Sequence, residues 1–279
     1  MNLWLRVFLP FAAGYYLSYL LRTVNAVIAP ELTRELTLTA ADLGLLTSAY
    51  LLAFAAFQIP LGLLLDRYGP RRVEAGLLLV AAAGTLLFAI GRSPFELTVA
   101  RGLIGLGVSS CLMAAFKGFA QNFPAERQAS LTGAIMASGG LGAITASLPP
   151  QFALPLFAWR GVFQGLTFLL LAVAALIFFS VPQREAGVSR DSLGAQLKDV
   201  GGILAHRVFW RFAPPMTLVT GGFLAVQGLW AVPWLMNVSG ATRASAAGHL
   251  FAMGLAMLAC NLGIATLAGI ITMTPGTLS

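Results

Sequence analysis

The stretch Gly62-Leu63-Leu64-Leu65-Asp66-Arg67-Tyr68-Gly69-Pro70-Arg71-Arg72 puts an aspartate and three arginines between two long apolar runs. Runs of about 18 or more residues without a fixed charge are long enough to cross a bilayer as helices. Outward from this loop, eight such runs fall near 7–29, 43–65, 73–91, 95–116, 129–148, 161–181, 212–236 and 246–271, with Arg22 and Arg101 as charges inside them. The fold class expected is all-α: a polytopic membrane helix bundle of about eight transmembrane helices.

Composition agrees. Of 279 residues, 58% are hydrophobic and 10% charged, and the mean hydropathy is +0.84. An ordinary soluble domain carries about a quarter charged residues. The net charge of +7 does not point to nucleic acid, because basic excess in a membrane protein belongs to cytoplasmic loops. Cys111 and Cys260 lie in apolar runs and offer no disulfide framework, zinc spacing or redox pair.

With the N-terminus inside, eleven lysines and arginines fall in inner loops and four in outer ones, so both termini are expected to be cytoplasmic. The first run is too long for a signal-peptide core and is read as a retained helix. Residues 182–211 gather many of the charges, and Leu193, Leu197, Val200 and Leu204 recur at helical spacing behind Asp191 and Ser192. The domains expected are a six-helix bundle over 1–181, a cytoplasmic linker with an amphipathic helix over 182–211, and two helices of a second bundle over 212–279. This is the plan of a six-plus-six transporter cut after its eighth helix.

The charged loop after the second run resembles the signature of the major facilitator superfamily: a glycine, then Asp66-Arg67, Gly69, and the basic Arg71 and Arg72, between helices two and three. The resemblance implies a cytoplasmic latch, in which Gly62 permits close helix contact while Asp66 and the arginines pair with charges and helix ends. Arg101-Gly-Leu-Ile-Gly105-Leu-Gly107 is similar to the superfamily's fourth-helix pattern, and Trp159-Arg160-Gly161-Val-Phe163 to the step that opens helix six. The glycine-proline motif of drug antiporters is absent from helix five, which argues against drug efflux. Tyr19-Leu20-Leu21-Arg22-Thr23-Val24-Asn25, with Thr39-Ala-Ala-Asp42 and Tyr50, resembles the anion:cation symporter branch, whose members carry sugar acids and other organic carboxylates. An aspartate often precedes the arginine in that branch; Leu21 stands there in this chain.

Arg22 sits about 22 Å from the inner end of its helix, and Arg101 about 10 Å in from Pro94 on the outer side, so the two guanidiniums are expected at similar depth. All ten acidic residues fall in loops or at span ends. No carboxylate within a span is expected to neutralise the arginines, and a carboxylate on the substrate is their natural partner. Snorkelling to the outer interface, or binding helix carbonyls, is the alternative for each arginine. Tyr15, Tyr19, Arg22 and Asn25 share one helix face, and Tyr50 and Gln58 on helix two with Gln227, Trp230 and Trp234 on helix seven are candidates to complete a cavity. Ser138, Thr145 and Ser147 read as packing hydroxyls, His249 as interfacial, and Lys117 as a positive-inside charge.

No phosphate loop, metal-ligand cluster or nucleophile arrangement is visible, so neither ATP hydrolysis in this chain nor an enzyme is expected, and no cofactor or metal. The expected partners are a small anionic solute, the lipid bilayer, and a coupling proton or cation, in a bacterial cytoplasmic membrane. Three readings stay open: an ion-coupled organic-anion transporter working by alternating access, a non-transporting fragment of one, and a transporter-like sensor.

Overall fold

The computed structural model describes residues 3–147, 149–183, 201–225, 231–242, 245, 248–249, 251–260, 263 and 266, and these are almost wholly helical. A π-helical turn over Trp4–Phe8 leads into α1 (Leu9–Leu36), which stops at Thr37 in a left-handed conformation, φ 50° and ψ 38°. Thr39 then caps α2 (Ala40–Ala56): its hydroxyl accepts from the Asp42 backbone N–H while the Asp42 carboxylate accepts from the Thr39 N–H, a reciprocal capping box. Ser93 and Glu96 build the same device ahead of α4 (Pro94–Val108), with Pro94 at the first helical position, where its missing N–H costs nothing.

Helix α3 (Gln58–Ile90) follows α2 after the single residue Phe57 and is broken at Gly69, where φ is 78° and ψ 163°. A side chain there is strained, whereas glycine adopts the turn freely and Pro70 starts the next helix with its φ already fixed. Span two therefore runs from Ala40 to Tyr68, and span three from Pro70 to Ile90. After a turn at Ser109, α5 (Cys111–Asn122) continues α4. A 3₁₀ turn over Ala125–Arg127 precedes α6 (Gln128–Ser147), and α7 (Pro149–Ser180) is interrupted at Ala158, φ 52° and ψ 170°. That conformation is unfavourable for alanine and persists only where neighbours enforce it.

Four described stretches, Gln58–Ile90, Pro94–Asn122, Ala125–Ala146 and Phe157–Ser180, are long and apolar enough to cross a membrane, and Ala40–Ala56 and Phe251–Cys260 are shorter apolar helices. The protein is an all-α membrane helix bundle. Helix α1 packs on α6 and α7, α2 on α4, and α3 on both α4 and α7. Glycines set the closest crossings: a methyl group at Gly105 would overlap the Tyr50 carbonyl, and one at Gly107 the Ala81 backbone. In lipid, such close backbone approach replaces much of the hydrophobic drive that packs soluble helices.

The chain divides into two compact units, Met1–Val188 with Met257–Ser279, and Ser189–Ala256. In the first, Leu258 lies against Gly140 of α6. In the second, α8 (Arg207–Ala225) contains Pro214 and Pro215 and exposes Trp210, Phe212, Met216 and Leu218, and α9 (Ala231–Asn237) is short. Most of the amphipathic segment expected within 182–211 lies outside the described residues; residues 201–205 are helical and exposed.

Candidate functional site

Four residues to a turn bring Tyr15, Tyr19 and Arg22 onto one face of α1, as the spacing predicts. The Tyr15 and Tyr19 rings meet edge to face at 5.1 Å, and Gly139 of α6 lets them lie against that helix. The Arg22 guanidinium sits 5.0 Å from the Tyr19 ring and 5.2 Å from the Phe54 ring of α2. Planar cations gain from both aromatic faces, more so when desolvated. The Arg22 Nε is buried without a hydrogen-bond partner, and so is the Asn25 Oδ1 one turn along.

Tyr50 joins the two arginines. Its ring is 1% exposed and lies 4.7 Å from the Arg101 guanidinium, and its hydroxyl faces Arg22 without closing a hydrogen bond of ordinary geometry. Arg101 is itself 1% exposed and donates from Nη1 to the Leu21 carbonyl at 3.0 Å, which ties α4 to the backbone beside Arg22. Gly105, one turn along from Arg101, permits this approach by admitting the Tyr50 backbone. Among the described residues the ion pairs are Lys117–Asp66 and Arg160–Glu35, so neither Arg22 nor Arg101 is matched by a carboxylate. Buried cations without counter-ions attract an anion that can satisfy their donors.

Gln58 is engaged elsewhere: its Nε2 donates to the Phe54 and Ser109 carbonyls at 3.3 and 3.4 Å. Ser138 and Thr145 donate to carbonyls of their own helix. Trp234 is exposed. Gln227 and Trp230 lie outside the described residues. Phe54 is a member of the site that sequence reasoning misses, although its position four residues after Tyr50 puts both rings on one face.

At the opposite turn, Asp66 pairs with Lys117 of α5, which is therefore more than a loop charge. Arg71 stacks on Phe178 at 4.8 Å, Arg67 lies 5.4 Å from the Tyr68 ring, and Arg72 borders a groove of about 230 Å³ with Leu64, Tyr68 and Leu77. Gly69 supplies the turn. Gly62 faces open space, so the close helix contact expected of it is not made within the described residues.

Glu74 corrects the expectation that acidic side chains keep to loops and span ends. It is fully buried in α3, five residues past the Gly69 break, with both carboxyl oxygens enclosed. Its position beside Arg71 and Arg72 in the sequence reads as a loop charge, but helical phase turns it inward.

A bundle of apolar helices that buries unmatched arginines suits a membrane transport protein. The sequence pattern of the Major Facilitator Superfamily matches residues 11–277, and the chain belongs to that family. It is 28% identical over 221 residues to the hexuronate transporter of Escherichia coli (strain K12), covering 74% of this chain and 51% of that one. It is 26% identical over 224 residues to the galacturonate transporter of Dickeya chrysanthemi, covering 74% and 64%. With the gallate transporter of Pseudomonas putida the identity is 28% over 206 residues, covering 70% and 44%. The chain thus spans about half the length of the curated relatives it matches.

Proposed function

We propose that this chain belongs to a secondary transporter of a small organic anion, of carboxylate or sugar-acid type, ion-coupled and working by alternating access. The observation that carries the reading is Arg22: a guanidinium within the helix bundle, held between Tyr19 and Phe54, facing Tyr50, and matched by no carboxylate among the described residues. Arg101 positions the site by holding the Leu21 carbonyl. The relatives named for hexuronate, galacturonate and gallate all concern carboxylates, which supports the substrate class.

In this reading residues 1–181 form one bundle, 182–211 a cytoplasmic linker, and 212–279 two helices of a second bundle. The Asp66 turn is cytoplasmic and acts as the latch, and the membrane is the bacterial inner membrane.

The test is galacturonate binding and uptake with Arg22→Ala. Binding should weaken at least a hundredfold, since a buried charge-assisted pair is lost. Unchanged binding and uptake would sink the reading. Retained binding without any flux would favour a transporter-like sensor.

A further inference from the structure

Glu74 of α3 is a buried carboxyl that the anion site does not use, and α1, α5 and α7 close around it. From α1, Gly14 abuts Oε1, and a methyl group there would overlap it. From α5 comes the Cys111 thiol, fully buried and facing the carboxyl, whose two oxygens have no hydrogen-bond partner. From α7 comes Ile177, and Phe163–Ser180 contains no titratable side chain.

The charges on the packed elements are spent elsewhere. Lys117 of α5 is paired with Asp66, and Arg101 of α4 holds the Leu21 carbonyl over Tyr50. On α3 itself, Arg71 stacks on Phe178 with its Nε left without a hydrogen-bond partner, and Arg72 borders the groove with Leu64 and Tyr68. On α1, Tyr15 follows Gly14 directly and packs on Tyr19, and Arg22 lies about 12 Å further along the helix. An ionised carboxylate enclosed this way, with no cation and no donor stronger than a thiol, is strongly disfavoured, so the group is kept as the neutral acid.

We propose that Glu74 is the binding site of the coupling proton, carried as the neutral acid while an anion occupies Arg22 and released to water when the bundle opens at the Asp66 end. This rests on the anion site at Arg22. The coupling is electrostatic: an anion bound at Arg22, about 12 Å along α1 from Gly14, disfavours a second negative charge at Glu74, so above the pH at which Glu74 ionises in the anion-free chain, anion binding draws a proton from water onto the carboxyl. Reciprocally, deprotonation weakens the anion. The glycine at position 14 leaves the space that the acid occupies.

The test compares the full chain with Glu74→Gln, an isostere of the neutral acid. Galacturonate is titrated calorimetrically in buffers of different ionisation enthalpy across pH. Below the pH at which Glu74 ionises the unaltered chain should bind with constant affinity; above it, binding should take up a proton and affinity should fall by up to about tenfold per pH unit. Glu74→Gln should bind with pH-independent affinity and no proton uptake. Wild-type proton uptake in Glu74→Gln would overturn the proposal while leaving the anion site standing. Should galacturonate not bind at all, the anion site fails, and infrared spectroscopy judges Glu74 alone. A buried carboxylic C=O band present in the unaltered chain and missing from Glu74→Gln supports the neutral acid, and its absence from both overturns it.

Discussion

The two ends of the helix bundle use charge differently. At the Asp66 turn charges are plentiful and lightly engaged: one exposed ion pair to Lys117, and arginines laid on Tyr68 and Phe178. At the other end acids and bases are more evenly mixed, and one group of them is closely shared. The Glu35 carboxylate, at the end of α1, accepts from the Trp159 indole N–H at 2.6 Å and pairs with Arg160. Arg160 also donates to the Gly91 carbonyl at 3.1 Å and stacks on Trp159 at 4.1 Å. One cluster thus ties α7 to the ends of α1 and α3, and the strained Ala158 backbone sits at its edge. The lesson is that the excess of basic residues in a sequence is the cue to the side of the membrane, whereas the burial of a charge's partners marks the joint.

The contrast is broken most visibly by Trp159→Ala. It removes a side chain that is 2% exposed and meets Phe88 edge to face at 5.7 Å, and should cost about 3–5 kcal/mol in thermal or denaturant unfolding of the detergent-solubilised chain. A loss below about 1 kcal/mol would mean that the joint is not structural.

Next comes Glu35→Ala, which strands the buried indole N–H and should cost about 1–3 kcal/mol. Its pH dependence sharpens the point. The Trp159 N–H, and then Arg160, hold the Glu35 carboxyl below its usual value. A carboxyl depressed in the folded state stabilises it above the unfolded pKa, near about 4.3, and that contribution fades as pH falls through the depressed value. Tryptophan fluorescence should therefore report the joint intact at about pH 5 and loosening below about pH 4, with no such step in Glu35→Ala.

The smallest effect is expected at the other end. Lys117→Ala removes an ion pair whose carboxylate is more than half exposed, and stability should change by less than about 1 kcal/mol. A loss as large as that of Trp159→Ala would erase the contrast.

Much of this architecture is legible in the amino-acid sequence. The turn at Gly69-Pro70 and the face shared by Tyr15, Tyr19 and Arg22 follow from local spacing and helical geometry, whereas Gly105 is legible only as part of a family-like pattern and takes its role from Tyr50, distant in sequence. The capping boxes are legible too, as Thr39-x-x-Asp42 and Ser93-x-x-Glu96, a pattern that assigns both acids to helix starts. Glu74 and Glu35 are not. Their environments are made by Gly14, Cys111, Trp159 and Arg160, which are distant in sequence, and nothing in the residues flanking either acid signals what will enclose it. Tyr50 is legible in part: its helix face can be read, but not that one ring serves two arginines.

The break at Gly69 also bears on how the protein is made. Its conformation is specified by two adjacent residues, a glycine free to take the required angles and a proline that starts the next helix. A turn written so locally needs no distant partner to set it, and it can form while the ribosome is still synthesising the helices that later cover it.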